Sequence, residues 1–393
     1  METGSAVIAG AGIGGLAAAL ALGRRGWDVT LVERRTAFPD VGAGIQLSPN
    51  ASRILIDLGL GSALRRAAAE PARVVVRAAA SGREIGQVAL GPFMRERFGA
   101  PYCVVHRADL QTLLLDAVRA QASVRLLVGR AVIGVRDEPG QASVAVESAG
   151  GARDTLRADL AVAADGLWSR LRAAGEDWRE PRYQGFSAWR AAIPRAAAPP
   201  ELSHDETGLW LGRQGHVVHY PVAGGRLLNV VAVERRAAPV EGWAAPGDPA
   251  ELRAAFARAA APLRDLLGVA PEWQVWSLFD LPAAGMRRGR LALLGDAAHP
   301  VLPFLAQGAA LAIEDAAVLA RALAAADGVP EALRTYERAR LPRARRVQQA
   351  ARRNAAAYHA GGLKAFVRNR IMRHLGPERM ATRYAWLYGW RDE

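Results

Sequence analysis

His216 and Tyr220 stand four positions apart in the run His216 to Val222, whose residue pattern reads as a β-strand. Alternate strand side chains point to opposite faces, so these two project from one face and can meet one ligand, while Val217 and His219 face the other way. An imidazole with an unperturbed pKa of about 6.5 accepts a proton near neutrality, and a neighbouring tyrosine can relay it or orient the ligand. A histidine and a tyrosine merely packed in a sheet would show the same spacing. His216 and His219 diverge, and the chain holds neither HExxH nor a CxxC pair, so no metal centre is expected. A serine-hydrolase elbow is absent too.

A second group of residues has the spacing of a nucleotide site. Gly10, Gly12 and Gly15 fit GxGxxG, with Gly14 an additional glycine, between a strand read at Ser5 to Ala9 and a helix read at Ile13 to Arg25. The first glycine permits a tight turn, the second lets backbone approach a pyrophosphate at the helix N-terminus, and the third allows close helix packing. Glu33, 23 residues after Gly10, closes a strand read at Asp28 to Val32, where it would accept a ribose hydroxyl, with Arg34 next to it. This fingerprint does not by itself separate FAD from NAD.

Two later segments make that separation by resemblance. Asp165-Gly166-Leu167-Trp168-Ser169-Arg170-Leu171-Arg172 fits DGxxSxxR, and Arg290 to Pro300 is similar to a strand and GDAAHP turn that binds a flavin ribityl chain. In order and spacing the three segments resemble class A FAD-dependent monooxygenases, in particular the salicylate, 3-hydroxybenzoate and 6-hydroxynicotinate hydroxylases, over nearly the whole chain. Val41 to Asn50 and His106 to Leu110 look like flavin-side loops of that family, which brings in Gly44 and Arg107. The cofactor set so implied is Gly10, Gly12, Gly14, Gly15, Glu33, Arg34, Gly44, Arg107, Asp165, Gly166, Asp296, Gly308 and Ala309. Read from the residues alone, Asp296 follows an apolar strand and could bind sugar hydroxyls or cap a helix. The helix beginning at Gly308 and Ala309 presents its positive end, which favours a reduced anionic flavin by about 0.3 to 2 kcal/mol.

The resemblance also implies a reaction. NAD(P)H visits transiently and reduces FAD, and O2 then forms a C4a-hydroperoxyflavin that hydroxylates an electron-rich aromatic acid. A base is needed because a phenolate ring is far more nucleophilic than a phenol, and His216 with Tyr220 supplies it. The HxxxY spacing resembles 3-hydroxybenzoate and 6-hydroxynicotinate hydroxylases. Gln307 resembles a second substrate-side polar residue, Pro303 a proline beside the reactive flavin edge, and His299 a mainly structural histidine. Phe304 and Leu305 depart from the loop of para-hydroxybenzoate hydroxylases.

The elements that must position these residues read as an α/β chain of mixed type. A Rossmann-like FAD-binding domain is expected over 1–177 and 283–330, an inserted antiparallel substrate sheet over 178–282, and a helical C-terminal region over 331–393. Strands are read at Val124 to Val128, Ser143 to Glu147, Asp159 to Ala164, Leu227 to Glu234 and Leu291 to Leu294, and helices at Leu110 to Ala120 and Gly308 to Ala326. Ala223, Gly224 and Gly225 mark a hairpin. The 18 residues from Ala6 to Gly23 carry no charge, but their glycines argue against a membrane span or export signal.

The net charge of +13 is regional, since Arg334 to Arg373 holds twelve basic residues against the single acid Glu337. An arginine-rich helix with a solvated outer face accounts for it without a specific nucleic-acid partner; salt-sensitive binding to nucleic acid or acidic membrane is the rival reading. Flavoprotein epoxidation or dehydrogenation is a further one, for which His216 would be dispensable. Tyr384, Trp386, Tyr388 and Trp390 read as internal packing or a homodimer contact. The lone cysteine, Cys103, fits a reducing, cytoplasmic compartment.

Overall fold

The computed structural model describes residues 3–38, 44–173, 179–202, 204–241 and 244–392. The loop residues Val41, Gly42 and Ala43 of the sequence reading lie outside them. The apolar opening run divides as its glycines require, into the strand Ser5–Ala9 and helix α1 (Ile13–Gly23). Helix α1 stops two residues before the expected end because the chain turns at Gly26, whose φ of +81° suits glycine. Strand Asp28–Glu33 then returns parallel to the first, completing the βαβ unit.

That unit is the centre of a six-stranded sheet, whose order is Arg287–Arg288, Leu291–Leu293, Leu160–Ala163, Ser5–Ala9, Asp28–Glu33 and Val124–Val128. The pairings are parallel except at the Arg287–Arg288 edge. Parallel strands buried on both faces need continuous apolar runs, and Leu160–Ala163 is buried throughout. Helix α1 shares the largest apolar core with three further helices, α2 (Pro49–Leu55), α3 (Arg107–Arg119) and α4 (Gly308–Ala325). The expected strand at Ser143 to Glu147 does not join this sheet. It is the centre, Gln141–Ser148, of a separate three-stranded antiparallel sheet.

A separate eight-stranded sheet has the order Ala244–Gly247, Trp273–Asp280, Arg182–Pro194, Leu227–Arg235, Gly215–Val222, Thr207–Leu211, Arg73–Ala78 and Glu84–Ala89. Its last two strands come from outside 178–282. Arg73–Ala78 runs parallel to Thr207–Leu211, a long-range pairing for which local periodicity holds no signal. Gly215–Val222 and Leu227–Arg235 form the expected hairpin, with positive φ at Ala223, Gly224 and Gly225. The C-terminal region is helical, as α5 (Val329–Tyr358) and α6 (Gly362–Thr382). Among the described residues no helix is long and apolar enough to cross a membrane.

Candidate active site

The glycines of the first turn have separable duties. Gly10 has a φ of +97°, and a Cβ there would lie 2.5 Å from the Ala164 carbonyl oxygen. A Cβ on Gly15 would lie 1.8 Å from the Gly10 oxygen, and one on Gly14 would press on Leu294 at 2.6 Å. Gly12 alone of the four has nothing within 4 Å of that position. It is also the N-cap of α1 and lends no side-chain cap, so the first amides of the helix face that space. Glu33 differs in part from expectation. Its two carboxylate oxygens accept from Ala11 N at 2.8 Å and Arg35 N at 3.0 Å, so it braces the glycine turn. Gln111, not singled out in the sequence, does likewise by donating to Ala11 O at 3.1 Å. Arg34 is exposed.

The two later motifs are tied to each other. Asp165 Oδ2 accepts from Arg170 N at 3.0 Å, and Ser169 Oγ from Arg172 N at 3.0 Å. The Arg172 guanidinium donates to Leu167 O at 2.7 Å and across to Ala297 O at 2.9 Å, which locks the Asp165 loop to the Asp296 turn. Gly166, at φ +84°, opens on empty space. Asp296 is exposed, and Arg107, the first residue of α3, feels its charge. Burial, then the neighbouring Arg35, holds the Arg107 guanidinium below its usual range against the pull of Asp296. His299 is buried. Its Nε2 meets Asp315 Oδ2 at 2.6 Å, and the same oxygen accepts from Gly295 N at 2.9 Å.

These residues fit FAD. Gly12, Gly166 and Gly308 each have open space where a side chain would begin, and α1 and α4 both start without a side-chain cap. The α1 terminus suits a pyrophosphate, Asp296 sugar hydroxyls, and Arg107 an anionic edge of the cofactor. Ala309 follows Gly308 in the first turn of α4.

On the eight-stranded sheet His216 and Tyr220 do share a face, opposite Val233 and Asn229 of the neighbouring strand. Tyr220 packs so closely on Gly44 that a Cβ there would lie 2.4 Å from its ring. Gly44 N donates to Asn229 Oδ1 at 2.7 Å, and Gln46 accepts from Tyr102 Oη at 2.5 Å. Burial pushes the Tyr220 hydroxyl above its usual range, opposed by Arg190. Pro303 opens a single helical turn, Pro303–Leu305, whose Phe304 ring lies 5.4 Å from His216. His216 Nδ1 meets His359 Nε2 at 3.0 Å. Burial, reinforced by His359, holds the His216 imidazole well below its usual range.

Gln307 is placed differently from the sequence expectation. Its amide is buried, donating to Ser48 Oγ at 2.9 Å and accepting from Asn50 Nδ2 at 3.1 Å. Asn50 also donates to Glu314 at 2.6 Å, and Glu314 is gripped by Arg343 and Arg340 at 2.6 and 2.7 Å. His219 projects to the other face against Gly208, with both ring nitrogens buried and unpartnered. No three metal-ligating side chains cluster among the described residues.

The basic C-terminal stretch is partly internal. Arg340 also binds Asp315 at 2.7 Å, Arg352 binds Asp280 at 2.5 Å, and Arg346 lies 4.0 Å over Trp386. Trp390 lies under Arg340 and Arg343, and Tyr388 packs on Phe98 and Tyr102. The aromatic tail thus contacts its own chain.

Comparison with known proteins agrees with this geometry. The family model described as FAD binding domain matches residues 3–351. The chain is 34% identical over 388 residues to a 3-hydroxybenzoate 6-hydroxylase of Polaromonas naphthalenivorans, covering 98% of this chain and 95% of that protein. It is 39% identical over 393 residues to a 3-amino-4-hydroxybenzoate 2-monooxygenase of Streptomyces platensis, covering 97% and 95%. Klebsiella pneumoniae HpxO, solved with FAD and uric acid, superposes with a TM-score of 0.83 at 30% identity, over 96% of this chain and 95% of that one. With an FAD cradle, a matching family model and relatives aligned almost end to end, the chain belongs to the FAD-binding-domain family of class A flavoprotein monooxygenases.

Proposed function

We propose that this monooxygenase hydroxylates the ring of a phenolic aromatic acid, with NAD(P)H as electron donor and His216 as the base that deprotonates the ring hydroxyl. Bound FAD would supply electron transfer from NAD(P)H and activation of O2, and the side chains named here prepare the other reactant. The observation that carries the reading is the common face of His216 and Tyr220, which ends against the turn Pro303–Leu305. His216 Nδ1 is committed to His359, which leaves Nε2 as the proton acceptor. The depressed basicity of His216 keeps the ring neutral at neutral pH, as an acceptor must be.

Arg190 extends the site. Val231 pairs with both Arg190 and Val218, which puts Arg190 on the face of His216 and Tyr220. It is half-buried, lies 4.8 Å over the Trp276 ring, and its Nε is sealed without a partner. Asn229 Nδ2 is likewise sealed and unpartnered. A cation and an amide in that condition gain by meeting an anion. A carboxylate is the group that 3-hydroxybenzoate and 3-amino-4-hydroxybenzoate, named for the two relatives, have in common beside the ring hydroxyl. On this reading Pro303 flanks the reacting ring and Tyr220 orients it, while Gln307 supports the site from beneath. The single cysteine, buried and free, agrees with a cytoplasmic setting.

The test is a panel of hydroxybenzoates and hydroxypyridine carboxylates offered to the holoenzyme with NADH or NADPH. At least one should accelerate flavin reduction and yield product carrying one added oxygen. Oxidation of NAD(P)H with no hydroxylated product from any member would overturn the reading.

A further inference from the structure

His216 has a partner drawn from the far end of the chain. His359 caps α5 and lies 143 positions later, yet its Nε2 is 3.0 Å from His216 Nδ1. Both rings are buried, 3% and 7% exposed. Their surroundings hold them in place, because Phe186 stacks on His359 at 4.8 Å while Phe304 and Tyr358 flank His216 at 5.4 and 5.2 Å. One neutral imidazole must donate to the other, and either direction satisfies the pair in the free protein. A phenol that donates to His216 Nε2 selects one of them, in which His216 donates from Nδ1 to His359.

We propose that His359 is the positioning residue of the base: it fixes the tautomer in which His216 Nε2 accepts the substrate's hydroxyl proton, and it takes the Nδ1 proton as Nε2 gains one. This inference rests on the function proposed above. The step is a proton transfer without change of oxidation state. The phenolic O–H breaks with its electron pair left on oxygen, its proton goes to His216 Nε2, and the His216 Nδ1 proton goes to His359 Nε2. Spreading the charge over two rings matters here because the site opposes it. Burial, then Arg235, then Arg368 hold His359 down to about 4, and Tyr358 is the other titratable group against His216. The proton is therefore held on His359 only while the substrate oxygen stays deprotonated and returns by the same route, because His359 Nδ1 is sealed without a partner among the described residues.

The test uses holoenzyme with His359→Leu and His359→Gln, and 3-hydroxybenzoate and 3-amino-4-hydroxybenzoate as probes. Ionisation of the bound probe is read as phenolate absorbance across pH, with product formation measured in parallel. Wild type should bind the phenolate below the pH at which the free probe ionises. In His359→Leu the midpoint should rise by about one pH unit, a tenfold change in the ionisation equilibrium. His359→Gln, whose amide oxygen can accept the Nδ1–H, should recover part of the difference, with FAD content unchanged. If the Leu variant does not hold FAD, the midpoint of the Gln variant, expected between wild type and the free probe, decides. Identical midpoints in wild type and variant, with wild type hydroxylating the probe, overturn the inference alone. A wild type that neither binds nor hydroxylates any member of the wider panel overturns the reading beneath it.

Discussion

Gln307 donates from its side-chain amide to Ser48 Oγ at 2.9 Å, joining the start of α4 to the residue that precedes α2. The bond is one link of a buried chain that runs through Asn50, Glu314, Arg343 and Arg340 to Asp315 and His299. Gln307→Leu should therefore act on stability, at about 1–3 kcal/mol for the partners it strands. The KM for the aromatic substrate should change little. A raised KM with an unaltered denaturation midpoint would return Gln307 to the substrate.

Motifs whose meaning is local were legible: the glycine turn, the Asp165 loop, the Asp296 turn and the same-face pair His216 and Tyr220 all stand where their spacing puts them. What was hidden depends on partners that only folding supplies. The Glu33 oxygens are occupied by amides of Ala11 and Arg35, which only the folded turn brings to them. Arg73–Ala78 finds its place beside a strand that begins at Thr207. His359 carries no motif, and only the length and path of α5 deliver it to His216. Arginine abundance concealed the roles of Arg340 and Arg343, because a buried arginine and a solvated one look alike in composition.

Gly12 and Gly15 should fail in opposite ways. A side chain at Gly12 enters open space, so Gly12→Val should leave folding intact and abolish FAD retention. At Gly15 a Cβ meets the Gly10 carbonyl oxygen at 1.8 Å, so Gly15→Ala should destabilise the protein whether or not FAD is present. Circular-dichroism melts of apo and FAD-loaded protein separate the two; equal loss of stability in both variants would refute the distinction.

Asp315 and His299 set a pH dependence of stability. Against burial, which raises it, His299 and Arg340 hold the Asp315 carboxyl down to about 2. Its contribution is present above the unfolded value of 3.8 and lost as pH falls toward 2. His299, despite burial, is raised by Asp315, so its contribution is full below the unfolded value of 6.5 and declines as pH rises through the folded one. The stability gap between wild type and His299→Asn should accordingly narrow on the alkaline side in urea titrations. A gap that widens above neutrality contradicts this assignment.

Arg190→Gln should raise KM for a carboxylated phenol and leave FAD content unchanged. The loss corresponds to a charge-assisted hydrogen bond, about 1.5–3 kcal/mol, or about 10- to 150-fold in kcat/KM. The same variant should be indifferent to an uncharged phenol of the same shape. Equal losses on both substrates would move Arg190 away from the carboxylate and onto the cofactor.

His216→Ala removes the proposed base and nothing that the FAD cradle uses, since none of Gly12, Arg107, Gly166 or Asp296 is bonded to it. Flavin content and the rate of flavin reduction by NAD(P)H should persist. Hydroxylation should fall by about 10²–10⁴, the range lost with a general base, with hydrogen peroxide released in place of product. Buried and beside His359, His216 is neutral at neutral pH, so the wild-type rate should fall as acid protonates it, below the usual histidine range. The variant should show no such acid limb. Its rate should instead rise toward the phenolic pKa of the substrate, where solvent supplies the phenolate. If His216→Ala hydroxylates at the wild-type rate at neutral pH, another group is the base, and His216 with His359 is a packed pair between the sheet and the end of α5.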